Sequence, residues 1–87
     1  MKILAKEIEM IAVFDRGGSI EPRRFRVEEP EGEEITIPVG KIVSVTEERK
    51  AGAKSLIFLC QGSISGLERQ YEIKYRIEDH RWELYKM

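Results

Sequence analysis

Between Arg69 and Ile77 the chain reads Arg69-Gln70-Tyr71-Glu72-Ile73-Lys74-Tyr75-Arg76-Ile77, with apolar residues mostly at odd positions and polar ones at even positions. That two-residue period belongs to a strand with one buried face. If the chain reverses at Asp79-His80, Ile77 falls opposite Trp82 and Tyr75 opposite Leu84. Arg76 then meets Glu83, and Lys74 meets Tyr85, on the solvent side. The closing hairpin, Leu67 to Met87, therefore has an inside made of Tyr71, Tyr75 and Trp82.

The rest of the chain has weaker patterns of the same kind. Ile8 to Phe14 reads as a strand, Asp15-Arg16-Gly17-Gly18-Ser19 as a tight turn, and Ile20 to Val27 as a second strand. Residues 1–7 fit either an extended lead-in, which we prefer, or a short helical stripe through Ile3, Leu4, Glu7, Ile8 and Ile11. Pro22 and the parity change between Ile20 and Phe25 predict an edge or a bulge near Glu21-Pro22. Glu28 to Glu34 is an acidic Pro/Gly loop. Ile35 to Val45 keeps strand parity across Pro38 and Gly40, which predicts one kinked strand rather than two strands joined by a turn. Glu47 to Lys54 reads as a charged loop, Ser55 to Gln61 as a central strand buried on both faces, and Gly62 to Gly66 as a turn.

Five to six short strands without a helix predict an all-β fold: a small antiparallel barrel or a strongly curled sheet, SH3-like in type. The length of 87 residues suits one domain, 1–87, with one modest core. Apolar residues make up 41% and charged residues 36%, the balance of a globular protein with a heavily ionised surface. Fifteen basic against sixteen acidic side chains leave no net field to draw the chain onto nucleic acid or anionic lipid. Binding of that sort needs a local patch. The single cysteine, Cys60, lies in an apolar run, as a buried thiol in a reducing compartment would. The charge-interrupted amino terminus is no signal peptide, and no apolar run is long enough to span a bilayer. The expectation is a cytoplasmic protein without a membrane association.

Candidate chemistry is sparse. His80 and Asp79 could pair as base and orienter or as metal ligands, but they fall at a hairpin tip where Asp is simply a good turn residue. Cys60 with His80 lacks the electropositive, open setting a thiolate needs. The Gly17-Gly18 turn has no phosphate-loop ending. Glu28, Glu29, Glu31, Glu33 and Glu34 lack the alternating spacing of a calcium loop. Neither a metal, a cofactor nor a catalytic constellation is expected. The remaining feature is basic: Arg23, Arg24 and Arg26 on the second strand, with Lys74, Arg76 and Tyr85 on the outer face of the closing hairpin. Guanidinium groups beside an exposed ring are the components of a binding patch for nucleic acid. Cross-strand charge pairing explains the same residues with fewer assumptions.

The segments Gly18-Ser19-Ile20-Glu21-Pro22-Arg23-Arg24-Phe25-Arg26-Val27, Tyr71-Glu72-Ile73-Lys74-Tyr75 and Trp82-Glu83-Leu84-Tyr85 together resemble a group of short bacterial proteins of domain-of-unknown-function type. The similarity runs from about Ile11 to Lys86. It implies a bacterial, cytoplasmic, stand-alone domain, and brings no activity, cofactor or site residue with it. Sequence reasoning thus leads to a non-enzymatic binding module that takes a partner, another protein or a second copy of itself, through a strand edge, with candidates around Pro22 and Pro38, or through an exposed face. A nucleic-acid-binding barrel using the basic residues is the alternative.

Overall fold

Strand alternation governs nearly the whole chain in the computed structural model, which describes all 87 residues. The strands are β1 (Ile3–Phe14), β2 (Ile20–Glu28), β3 (Glu34–Pro38), β4 (Lys41–Lys50), β5 (Ala53–Ile64), β6 (Leu67–Arg76) and β7 (Arg81–Lys86). They form one seven-stranded antiparallel sheet in the order β3-β2-β1-β7-β6-β5-β4. The first residues are extended, as preferred, and β1 pairs with β7 through Ile3–Ile8 and with β2 through Glu9–Phe14.

The sheet is strongly curled. Phe25 on β2 and Tyr71 on β6 are three strand steps apart, a lateral distance of about 14 Å in a flat sheet. Their ring centroids are 6.2 Å apart. The concave face consequently closes on a core of Phe25, Val27 and Ile37 from one end of the sheet and Phe58, Cys60, Tyr71, Ile73, Tyr75, Trp82 and Leu84 from the other. Trp82 is 8% exposed and lies 4.5 Å from the Tyr75 ring centroid and 5.9 Å from that of Phe58.

Several sequence expectations are corrected. The sheet does not close into a barrel: its hydrogen-bonded order ends at β3 on one side and β4 on the other. Seven strands replace the expected five to six because the segment from Ile35 to Val45 is divided at Val39-Gly40, and this strand order gives the SH3-like assignment no support. Six antiparallel steps separate β3 from β4, so the two run in the same sense. The chain therefore passes from one to the other without reversing, and what changes is the partner: β3 pairs with β2, β4 with β5.

Local chemistry explains the exchange. The Val39 N–H donates to the Arg23 carbonyl at 2.9 Å, and the Gly40 N–H to the Tyr71 hydroxyl at 3.0 Å. A Cβ on Gly40 would drive into the Gln61 carbonyl and come within 2.8 Å of the Gly62 Cα. The two glycines let the backbones touch.

Three further boundaries differ. The charged stretch from Glu47 is strand rather than loop, because Ala51 and Gly52, both at positive φ, reverse the chain in two residues. Ser65-Gly66 does the same after β5, so β5 runs on through Gly62 to Ile64. The closing hairpin is shifted by two residues: Tyr75 faces Trp82, Lys74 faces Glu83 and Ile73 faces Leu84. The cause is Ile77, whose N–H donates to the Lys54 carbonyl on β5, so the reversal occupies residues 77–80. A shift of two preserves the faces, which is why the inside was assigned correctly. β2 is an interior strand, and its proline is accommodated by a bulge: Ile11 pairs with Arg24 and Ala12 with Pro22, leaving Arg23 unpaired with β1.

Trp82→Ala should lower unfolding free energy by roughly 3–5 kcal/mol, as truncation of a packed core aromatic does. Gly40→Ala should cost roughly 3 kcal/mol or more, since the added methyl meets backbone rather than a movable side chain. Urea denaturation measures both, and a Gly40→Ala protein as stable as wild type would contradict the close approach.

Candidate functional site

Outward-facing residues of the sheet carry the basic side chains singled out in the sequence, and the register shows what each meets. On β2, Arg26 makes a charge-assisted hydrogen bond to Glu9 on β1 and lies 3.7 Å from Glu34. The same Glu9 contact holds the Arg26 guanidinium above its ordinary pKa. Arg23 pairs with Glu21 at 3.2 Å. On β6, Lys74 donates to Glu48 at 3.0 Å and sits 4.6 Å from the Tyr85 ring centroid, with Lys86 5.4 Å from the same ring. Arg76 joins Asp79 and, at 3.4 Å, Glu83. Glu7 and Glu83 stand directly opposite each other on β1 and β7, and Arg81 and Arg76 each neutralise one of them.

The two basic groups do not merge. Tyr85 and Lys74 come together as expected, and Arg76 reaches Glu83 diagonally. Arg23, Arg24 and Arg26 lie on the far side of β1, beyond Glu7, Glu9 and Glu83. The face is a mosaic of matched charges, and of the six candidate residues only Arg24 and Tyr85 have no carboxylate partner.

Lys74 serves packing as well as charge. To reach Glu48 on β4 its side chain crosses β5 at Ile57, its direct cross-strand neighbour, and Ile57 is buried although it faces outward. This makes β5 the strand buried on both faces that its composition predicts. The hydrogen bond from Lys74 holds the Glu48 carboxyl below its ordinary value despite partial desolvation.

The catalytic and metal candidates are not assembled. The His80 Nδ1 is 3.1 Å from the Tyr75 hydroxyl, and Asp79 is engaged by Arg76 instead. Cys60 is fully buried beneath Tyr71, and desolvation pushes its thiol up to about 12. No group of three or more His, Cys, Asp or Glu side chains converges at metal-binding distance. The acidic segment closes as a short turn, with the Glu29 N–H donating to the Glu33 carbonyl.

What sequence reasoning missed is the free edge of β4. The turn at Ser65-Gly66 directs the backbone groups of Ile64, and by alternation those of Gly62, Cys60, Phe58, Leu56 and Lys54, toward β6. The bond from the Ile77 N–H to the Lys54 carbonyl fits this parity. Odd-numbered residues of β5 then bond to β4, where their partners are Ser44, Thr46, Glu48 and Lys50. The N–H and C=O groups of Val45, Glu47 and Arg49 are left pointing away from the sheet. Beside them Val43, in a bulge, and Val45 are 47% and 51% exposed. The charges of Glu47-Glu48-Arg49-Lys50 could have signalled this, because charged alternates are how an exposed edge is kept soluble.

Comparison of the chain with family models, with curated proteins and with solved structures finds no match. No helix is long and apolar enough to cross a membrane.

Glu48 gives a test of the convex-face pairing. A carboxyl whose folded value is depressed contributes stability above its unfolded pKa, and that contribution is lost as pH falls through the folded value. In an NMR titration the Glu48 side chain should show a midpoint below that of an ordinary glutamate, returning to the ordinary value in Lys74→Met. An unchanged midpoint in the variant would contradict the pairing. For Cys60, a thiol-specific reagent should react slowly with native protein and stoichiometrically after denaturation.

Proposed function

We propose that this domain is a non-enzymatic protein-interaction module that takes an extended strand of a partner polypeptide onto β4. The supporting observation is that edge: ten residues long, with the backbone groups of Val45, Glu47 and Arg49 unpaired and two valines exposed alongside. Strand addition uses main-chain hydrogen bonds for affinity and alternate side-chain positions for selectivity. Here an added strand would place apolar residues over Val45 and lengthen the concave face.

A foreign strand suits the edge better than a second copy. Antiparallel self-pairing about Glu47, Glu48 or Arg49 brings identical charges face to face, and pairing about Val45 runs into the bulge at Val43, which leaves Thr46 as the centre a second copy would use. The nucleic-acid reading is the weaker one, since four of its six residues are already neutralised by carboxylates. A reducing, cytoplasmic setting and a bacterial source belong to the same proposal, and a buried free thiol is compatible with the compartment.

Glu47→Pro separates these readings. Proline there removes an outward N–H while leaving the β4–β5 ladder intact, whereas Thr46→Pro breaks that ladder. Peptides selected from a displayed random library on wild-type protein should lose at least about tenfold in affinity for Glu47→Pro, a difference of roughly 1.4 kcal/mol. Equal binding to the variant, or enrichment of none, would count against strand addition at β4. A concentration-dependent dimer abolished by the same substitution would replace the foreign strand with a second copy. Salt-sensitive oligonucleotide binding would favour the basic face.

A further inference from the structure

Of the three arginines on β2, two have a carboxylate partner and one does not. Arg23, Arg26, Arg49, Lys54, Lys74, Arg76 and Arg81 each have a carboxylate within 4.0 Å. Arg24, in the middle of β2 and flanked by two of these, has none. It stands over a cleft of about 340 Å³ on the outer side of β1, β2 and β3, lined by Glu9, Met10, Ile11, Arg24, Phe25, Arg26 and Thr36. Met10 and Phe25 turn their side chains to the core, so their backbone forms the floor. Ile11, directly across from Arg24 on β1, is 56% exposed. Thr36 stands across from Arg26 on β3. A free guanidinium beside an exposed aliphatic side chain, in a cleft near the lower end of the roughly 300–1,000 Å³ range of small-ligand sites, constitutes a recognition element.

We propose that this cleft binds a monocarboxylate carried on an apolar stem, with the Arg24 fork on the carboxylate and Ile11 against the stem. Local charge selects the class. Glu34 stands outside the lining, 3.7 Å from Arg26, while among the lining residues Glu9 offsets Arg26 and leaves the charge of Arg24. A single carboxylate neutralises it, while a phosphate dianion would bring a second negative charge against Glu9 and Glu34. The planar fork of arginine matches the two oxygens of a carboxylate, which a lysine at this position would not do. Two sources present this chemistry: the free carboxyl-terminal residue of a peptide, and a short-chain organic acid. The site is built from β1, β2 and β3, includes no residue of β4, and stands independently of the strand-addition reading.

The experiment is an amide NMR titration of the whole protein with four probes: Gly-Gly-Leu, its carboxyl-terminal amide, pentanoate and inorganic phosphate. Saturable shifts at Ile11, Arg24 and Thr36 with Gly-Gly-Leu or pentanoate, no response to the amide, and phosphate weaker by at least about tenfold are expected. Gly-Gly-Leu binding tighter than pentanoate makes a chain terminus the source, and the reverse order makes it a free acid; both support the site. Arg24→Gln should weaken the better ligand by at least about tenfold with the remaining resonances unmoved, and Arg24→Lys should give an intermediate loss. The proposal is overturned by equal shifts from acid and amide, by phosphate as the tighter ligand, by unchanged affinity in Arg24→Gln, or by no saturable shift. Because Arg24 is exposed and without an ion pair, its replacement leaves the fold available for each comparison.

Discussion

The contact between Gly40 and the Gln61-Gly62 backbone, capped by the bond from the Gly40 N–H to the Tyr71 hydroxyl, sets the shape of this protein. At that point a single run of chain leaves β2 and joins β5, tying the two ends of the hydrogen-bonded sheet together through covalent backbone rather than through a ladder. The curl that follows brings Phe25 against Tyr71 and buries one aromatic core. A flat sheet of this length would have exposed the same rings. Because the ends are joined by two residues and not by pairing, β4 keeps a free edge above the junction. Stability and the proposed binding surface thus have one origin.

The convex face is organised by electrostatics at short range. Strands that place Glu7 opposite Glu83 would repel each other without Arg76 and Arg81. Lys74 reaches over Ile57 to Glu48 and shields an aliphatic side chain on the way. Exposed pairs of this kind contribute little stability individually, and their effect is greater on register, since a slipped strand would set like charges together. A face arranged in this way has little free charge to offer a polyanion. Among the arginines of β2, Arg24 alone lacks a carboxylate partner, and the cleft lies beside it.

Much of the fold was legible in the residues. Alternation, apolar β-branched runs and turn residues indicate six strand segments, and alternation shows which face of the closing hairpin is buried, because those depend only on the order of side chains. Boundaries were harder. Glu47 to Lys50 reads as a loop because four successive charged residues show no apolar alternation, and the two-residue turn at Ala51-Gly52 lacks the Asn or Asp that usually announces it. The hairpin register was displaced because Ile77 bonds to Lys54 on a third strand, a contact that hairpin geometry alone does not contain. The partners of the basic residues were hidden for the same reason. Glu9, Glu48 and Arg81 are distant in sequence from the groups they neutralise or approach, and only the sheet order brings them close. Arg24 was recognised as part of a basic set, but its isolation from carboxylates is a property of the assembled face.

Native-state amide exchange along β4 tests most directly whether the curled sheet stays open beside Val39-Gly40. The account predicts alternation: slow exchange at Ser44, Thr46, Glu48 and Lys50, whose N–H groups face β5, and fast exchange at Val45, Glu47 and Arg49. Uniform protection from Ser44 to Lys50 in the isolated monomer would contradict it, because every backbone group on that strand would then have a partner and no edge would remain to bind one.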